Sequence, residues 1–149
     1  MKKYLNWTQL ETQVHLLCNN ITEYIEDETT GLSQPCDVYR GIYGIPRGGL
    51  VIAVMMSHIL NIPYTDRLQS LYGERFLVVD DIADSGETLQ QMRAEVFKNA
   101  EFATIHYNED SIFKPNFYVS MKQNDWIVYP WERKDSKAIQ DYKLEQNSI

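Results

Sequence analysis

Leu10, Val14, Leu17, Ile21, Tyr24 and Ile25 recur at intervals of three and four residues, the spacing of one buried helix face. Thr8-Gln9-Leu10-Glu11 has the form of a capping box, so the pattern predicts a helix from about Thr8 to Glu28. Glu23, Glu26, Asp27 and Glu28 form its solvated end. Gly31 and Pro35 then break the chain. Val38–Ile45 is rich in β-branched and aromatic residues and predicts a strand. Pro46-Arg47-Gly48-Gly49 predicts a turn, and Leu50–Leu60 a buried helix that closes near Asn61-Ile62-Pro63. The apolar run Phe76-Leu77-Val78-Val79, ending at Asp80, predicts a central buried strand. A helix over Thr88–Asn99 and a strand over Phe102–Tyr107 follow. Phe117–Ser120 and Trp126–Tyr129 predict short peripheral strands. Tyr64–Glu74 fits either a short strand with a turn or a loop, Asn108–Asn116 a polar loop, and Lys134–Ile149 a helical or frayed tail. Alternating strands and helices imply an α/β fold with a central, mainly parallel sheet, right-handed crossovers and flanking helices.

Composition narrows the class. A chain of 149 residues is expected to form one domain. Twenty-one acidic against 14 basic residues give a net charge of −7, the opposite of the basic stripe that nucleic acid requires. The longest apolar run, Leu50–Met56, is too short to span a bilayer, so no membrane partner is expected. MKKYLNWTQLETQ has two lysines but no apolar core of a signal peptide. Cys18 and Cys36 lack metal spacing, and reduced thiols in the cytoplasm are the expectation over a disulfide. His15, His58 and His106 form no metal pattern either.

Candidate chemistry concentrates where two strands run into loops and then helices. In the first, the central strand ends in Asp80 and Asp81, followed by Ile82-Ala83-Asp84-Ser85-Gly86-Glu87-Thr88. Ligands of open α/β sheets sit beyond the carboxyl ends of the strands, and a helix N-terminus offers N–H groups to an anion. A phosphate cradle therefore stands beside a pair of acids. Glu87 is the odd member, and it is expected to face solvent as a favourable first-turn acid. In the second, Gly44-Ile45-Pro46-Arg47-Gly48-Gly49 combines glycines that permit close backbone approach with a forked guanidinium donor. An ordinary turn would use the same glycines, a reading that weakens beside the first segment.

Asp80 through Thr88 resembles the motif with which type I phosphoribosyltransferases bind 5-phosphoribosyl-1-pyrophosphate (PRPP); Ser85 stands where Thr is usual. GIYGIPRGGL resembles the pyrophosphate loop of the bacterial xanthine-guanine and hypoxanthine enzymes, with Pro46 in place of Ser. Trp126-Ile127-Val128-Tyr129-Pro130-Trp131-Glu132 resembles their Trp-Ile-x-x-Pro-Trp-Asp base-binding stretch.

The resemblance covers roughly Val38–Glu132. It implies a single domain over 1–149, with a core of about 36–107, a small C-terminal hood of about 108–133 and an N-terminal helix of about 8–28. The implied activity is transfer of the phosphoribosyl group of PRPP to a 6-oxopurine, releasing pyrophosphate. Asp80 and Asp81 would meet the ribose hydroxyls and Mg²⁺. Ala83, Asp84, Ser85, Gly86, Glu87 and Thr88 would form the 5′-phosphate loop, and Pro46, Arg47, Gly48 and Gly49 the pyrophosphate loop. Asp84 would be the catalytic group near purine N7, Trp126 the stacking face, Ile127 the base edge, and Glu132 an acid near the metal or the exocyclic group. A homo-oligomer, dimer or higher, is also implied.

Two departures stand out. The family places a Lys shortly after the strand matching Phe102–Tyr107, to meet the 6-oxo group. Here Thr104-Ile105-His106-Tyr107-Asn108 has none, leaving Asn108 or Lys114 as substitutes. An amide also accepts from an exocyclic amine, so an aminopurine stays open. The catalytic lid is also short, since only Tyr64–Arg75 precedes the central strand. A non-catalytic PRPP- or nucleotide-binding regulator on the same fold is the alternative. A phosphoacceptor receiver domain fits less well, because its acid pair follows the first strand.

Overall fold

The computed structural model describes residues 1–66, 74–95, 100–122 and 125–133. Most of the short lid and the C-terminal tail lie outside these residues. The elements in chain order are β1 (Lys2–Tyr4), α1 (Trp7–Thr29), a helical turn α2 (Pro35–Val38), β2 (Tyr39–Gly44) and α3 (Gly48–Leu60). β3 (Arg75–Ala83), α4 (Glu87–Glu95), β4 (Ala100–Asn108), β5 (Phe117–Lys122) and β6 (Trp126–Val128) complete them.

β2, β3, β4 and β5 form one four-stranded sheet in that order, and every pairing is parallel. Both faces of the sheet are covered. Leu77 and Val79 of β3 and Ala103 and Ile105 of β4 pack with Leu10, Val14, Ile52 and Met56 of α1 and α3. The alternate residues Val78 and Phe102 pack with Leu89 of α4 and with Phe113. Period-two alternation sends successive side chains to opposite faces, and two covered faces explain the uninterrupted apolar run of β3.

Several boundaries shift for identifiable reasons. The α1 cap is Asn6, two residues upstream of the predicted box. Its carboxamide oxygen accepts the Gln9 N–H at 2.7 Å, and Gln9 Oε1 accepts the Asn6 N–H at 2.9 Å. Asn caps as well as Thr does, and Gln9 completes the reciprocal pair. α3 starts at Gly48 rather than Leu50, because its glycines let the first turn lie directly on β3. β5 runs on to Lys122 and is an edge strand of the main sheet, so the segment assigned to the hood divides. β6 pairs instead with β1, a strand the hydrophobic pattern did not predict, in a two-stranded parallel sheet. That pairing joins the N-terminus to the hood.

Candidate active site

Because the four strands run parallel, their carboxyl ends and the following loops share one rim. β3 runs past the expected end at Asp80 to Ala83, and the loop after β2 and the acids Asp80 and Asp81 of β3 are pressed together. Ile45 N–H donates to the Val79 carbonyl at 2.8 Å, and Gly49 N–H to the Ile45 carbonyl at 2.9 Å. A Cβ on Gly48 would stand 2.2 Å from Asp81 Oδ2, and one on Gly49 2.3 Å from the Val79 carbonyl oxygen. The Pro46-Arg47 peptide is cis. Arg47 is exposed at the start of α3 and Asp80 and Asp81 are half-buried. Asp80 Oδ1 accepts the Asp81 N–H at 2.9 Å, and Asp81 Oδ1 the Ile82 N–H at 2.8 Å.

The second loop is ordered by its own backbone and by the segment after β4. Gly86 takes a left-handed φ of 85°, where glycine is unstrained. A Cβ there would meet Ser111 Oγ at 2.3 Å and Phe113 N at 2.6 Å. Ile112 N–H donates to the Ser85 carbonyl at 2.9 Å. The Ser85 hydroxyl accepts the Glu87 N–H at 3.3 Å, satisfying one of the open donors at the start of α4. Ala83 is buried, Thr88 half-buried, and Glu87 exposed on the first turn as expected.

Asp84 stands between these loops and the hood. Asn108 Nδ2 donates to its Oδ1 at 2.8 Å. Lys122 Nζ donates to Oδ1 at 3.0 Å and to Oδ2 at 3.1 Å. Asn108 and Lys122 are register partners at the ends of β4 and β5. Sequence reasoning missed Lys122; the one signal for it was continued alternation past Ser120, which lengthens the strand by two residues. Lys114, the substitute considered from sequence, is exposed in the 109–116 loop. Asn108 is engaged at both ends of its amide, since its Oδ1 accepts the Asp110 N–H at 3.0 Å.

On the hood, Trp126 is half-buried with Lys2 Nζ 5.3 Å from its ring centroid, and Ile127 is buried. Glu132 Oε1 accepts the Tyr129 N–H at 2.9 Å, closing the turn after β6. Trp131 stacks on Tyr129 at 5.0 Å and 9°. A buried polar chain then ties hood to sheet: the Tyr129 hydroxyl donates to the Asp81 carbonyl at 3.2 Å and contacts His106 Nδ1 at 2.8 Å. With its one proton given to Asp81, the hydroxyl accepts from a protonated Nδ1.

Burial, and then the charges of Lys3 and Lys122, push the His106 imidazole down to about 4. It is therefore neutral when folded at neutral pH. The unfolded chain takes up its proton near pH 6.5, so the stabilisation is complete above that value and drains away as pH falls toward 4. Urea unfolding should show the wild type losing about 3 kcal/mol more than His106→Asn between pH 7 and pH 4. Parallel pH dependences in the two proteins would contradict this.

No family model matches the chain. Over 120 residues it is 32% identical to the xanthine-guanine phosphoribosyltransferase of Idiomarina loihiensis, an alignment covering 66% of this chain and 74% of that protein. The purine phosphoribosyltransferase of Pyrococcus horikoshii superposes with a TM-score of 0.73 at 27% identity, covering 93% of this chain and 99% of the other. The Helicobacter pylori xanthine-guanine-hypoxanthine enzyme, at 16% identity, shares the fold with a TM-score of 0.69 over 99% of both chains. The parallel sheet flanked by helices is that of a type I phosphoribosyltransferase. Within that class the chain belongs to the xanthine-guanine phosphoribosyltransferase family. It is an enzyme of phosphoribosyl transfer to purines.

Proposed function

We propose that the enzyme joins the C1′ of PRPP to N9 of a 6-oxopurine, with Asp84 holding the proton on N7. The N9 lone pair forms the new bond while the C1′–O bond breaks; that bond's electron pair leaves with pyrophosphate, and the Asp84 carboxylate takes the N7 proton. The observation that carries this reading is the Asp84 carboxylate, placed at the opening of the phosphate loop and fixed by Asn108 and Lys122. A carboxylate accepting from an amide and an ammonium is held as an acceptor, and an N7–H is the donor it would meet. Backbone N–H groups of Asp84 through Thr88 would bind the 5′-phosphate. Arg47 and the Gly48–Gly49 backbone would take the pyrophosphate, and Trp126 would supply an aromatic face for the base.

Asp80 and Asp81 fit Mg²⁺. They offer hard oxygen donors, and the Asp81 carboxylate lies against the Gly48 backbone, the loop proposed for pyrophosphate. Among the described residues no group of three or more His, Cys, Asp or Glu side chains is arranged for an ion. A two-carboxylate site suits a cation that keeps waters and substrate phosphates as its other ligands. When bound, Mg²⁺ would offset the charge of the leaving pyrophosphate. Among the described residues no helix is long and apolar enough to cross a membrane, and a purine-salvage role supports a cytoplasmic location.

The test is an Mg²⁺-dependent reaction of PRPP with hypoxanthine, guanine, xanthine and adenine, with orotate and uracil as controls, read by nucleotide mass. A 6-oxopurine nucleotide is the expected product. PRPP binding without product from any base would return the protein to the binding-module reading.

A further inference from the structure

The Asp81 carboxylate takes its direction from its own peptide group. Oδ1 accepts the Ile82 N–H at 2.8 Å, and that N–H shares a peptide group with the Asp81 carbonyl. A peptide group is planar, so turning the carbonyl turns the N–H with it. Oδ2 of the same carboxylate faces the Gly48 backbone, 2.2 Å from where a Cβ would stand. The last register pair between β2 and β3 is Gly44 with Val79, two residues short of Asp81. Its carbonyl is taken instead by the Tyr129 hydroxyl, at 3.2 Å.

Tyr129 is built to hold still. It is 3% exposed, its ring lies flat on Trp131 and meets His106 edge-on at 5.6 Å and 62°. Its backbone N–H is held by Glu132 at 2.9 Å. A phenol has one proton to donate. His106 Nδ1, 2.8 Å from the hydroxyl oxygen, fills the acceptor side and leaves that proton to Asp81. The hydrogen bonds therefore run one way, from His106 through Tyr129 and the 81–82 peptide to the Asp81 carboxylate.

We infer that Tyr129 is a positioning residue for Asp81, aiming its carboxylate at the Mg²⁺ and pyrophosphate of PRPP, with His106 setting the direction of the hydroxyl. The inference rests on the reading of Asp81 as a metal acid given above.

The test is a double-mutant cycle on PRPP binding, measured by calorimetry at fixed Mg²⁺ without base, in the wild type, Tyr129→Phe, Asp81→Asn and the double variant. Tyr129→Phe keeps the ring and removes only the hydroxyl. It should weaken PRPP binding by about 3- to 10-fold, the worth of one hydrogen bond. With Asn at position 81 no charge is left to aim, and the same change should cost less than about 2-fold. The KM for hypoxanthine should stay unchanged, since Trp126 and Ile127 are untouched. Thermal melting checks folding. Should Tyr129→Phe fail to fold, His106→Leu frees the hydroxyl to turn, and the same pattern is expected of it in the two backgrounds. Unchanged PRPP affinity, or equal losses with and without Asp81, overturns the assignment. So does a raised KM for hypoxanthine at unchanged PRPP affinity, which would give Tyr129 to the hood alone. Unchanged affinity in Asp81→Asn removes the metal-acid reading, and the role of Tyr129 with it.

Discussion

Asp84→Asn should lower kcat by about 10²–10⁴-fold, the span of a positioned acid–base group, while PRPP binding stays nearly unchanged. The amide keeps the size of the side chain and one acceptor for Asn108 Nδ2, now 2.8 Å from Oδ1. What it loses is the negative charge facing Lys122 and the basic oxygen for the N7 proton. Its NH2 group would also turn donors toward a donor. PRPP is expected to hold because the phosphate contacts proposed around residue 84 come from backbone N–H groups, which the substitution leaves in place. Steady-state turnover with hypoxanthine and calorimetric titration with PRPP check the two halves separately. Turnover at the wild-type level would sink the role assigned to Asp84. A large loss of PRPP affinity would show instead that Asp84 shapes the phosphate loop.

Gly49→Ala should cost about 3 kcal/mol or more, at or above the upper end for overpacking. The added methyl would lie 2.3 Å from the Val79 carbonyl oxygen and 3.1 Å from Asp80 Cα. Both neighbours are backbone, so no rotamer change relieves the clash. Val79 O is also the acceptor of the Ile45 N–H at 2.8 Å. The strand cannot move away without giving up that bond. α3 would have to lift from β3, opening the core around Ile52, Ala53 and Met56. The same shift would pull Gly48 from Asp81 and disperse the site. Gly31→Ala is the control: its φ is 77° but no atom lies within 4 Å of the added Cβ, so only the left-handed backbone is penalised, by about 1 kcal/mol. Urea midpoints for the two variants should differ accordingly. Equal losses would mean that the close approach of α3 to β3 is not what holds this corner.

Much of the molecule could be read from local pattern. The face from Leu10 to Ile25 marked α1, and the run into Asp80 marked β3, because side-chain periodicity records which faces are covered. The glycines of the two loops were visible for a related reason. Gly86 needs a positive φ, and Gly48 and Gly49 need room for a neighbouring strand. Short elements were harder. β1 has three exposed residues and no apolar alternation, so nothing within Lys2–Tyr4 announces its pairing with β6. The α1 boundary moved because two overlapping capping sequences compete, and only the hydrogen bonds of Asn6 and Gln9 choose between them.

The sequence by itself determined the α/β class, the acid pair and the two glycine-containing loops, since each is a contiguous run whose residue types state their local geometry. The tertiary structure alone decided the partners of Asp84. Asn108 lies 24 residues away and Lys122 38 residues away, on strands whose register brings them side by side. It also decided that Tyr129 and His106 bolt the hood to the backbone of Asp81. Register between strands arises from packing across the whole sheet. A Lys at the end of an edge strand looks like any surface charge until that register sets it against a carboxylate.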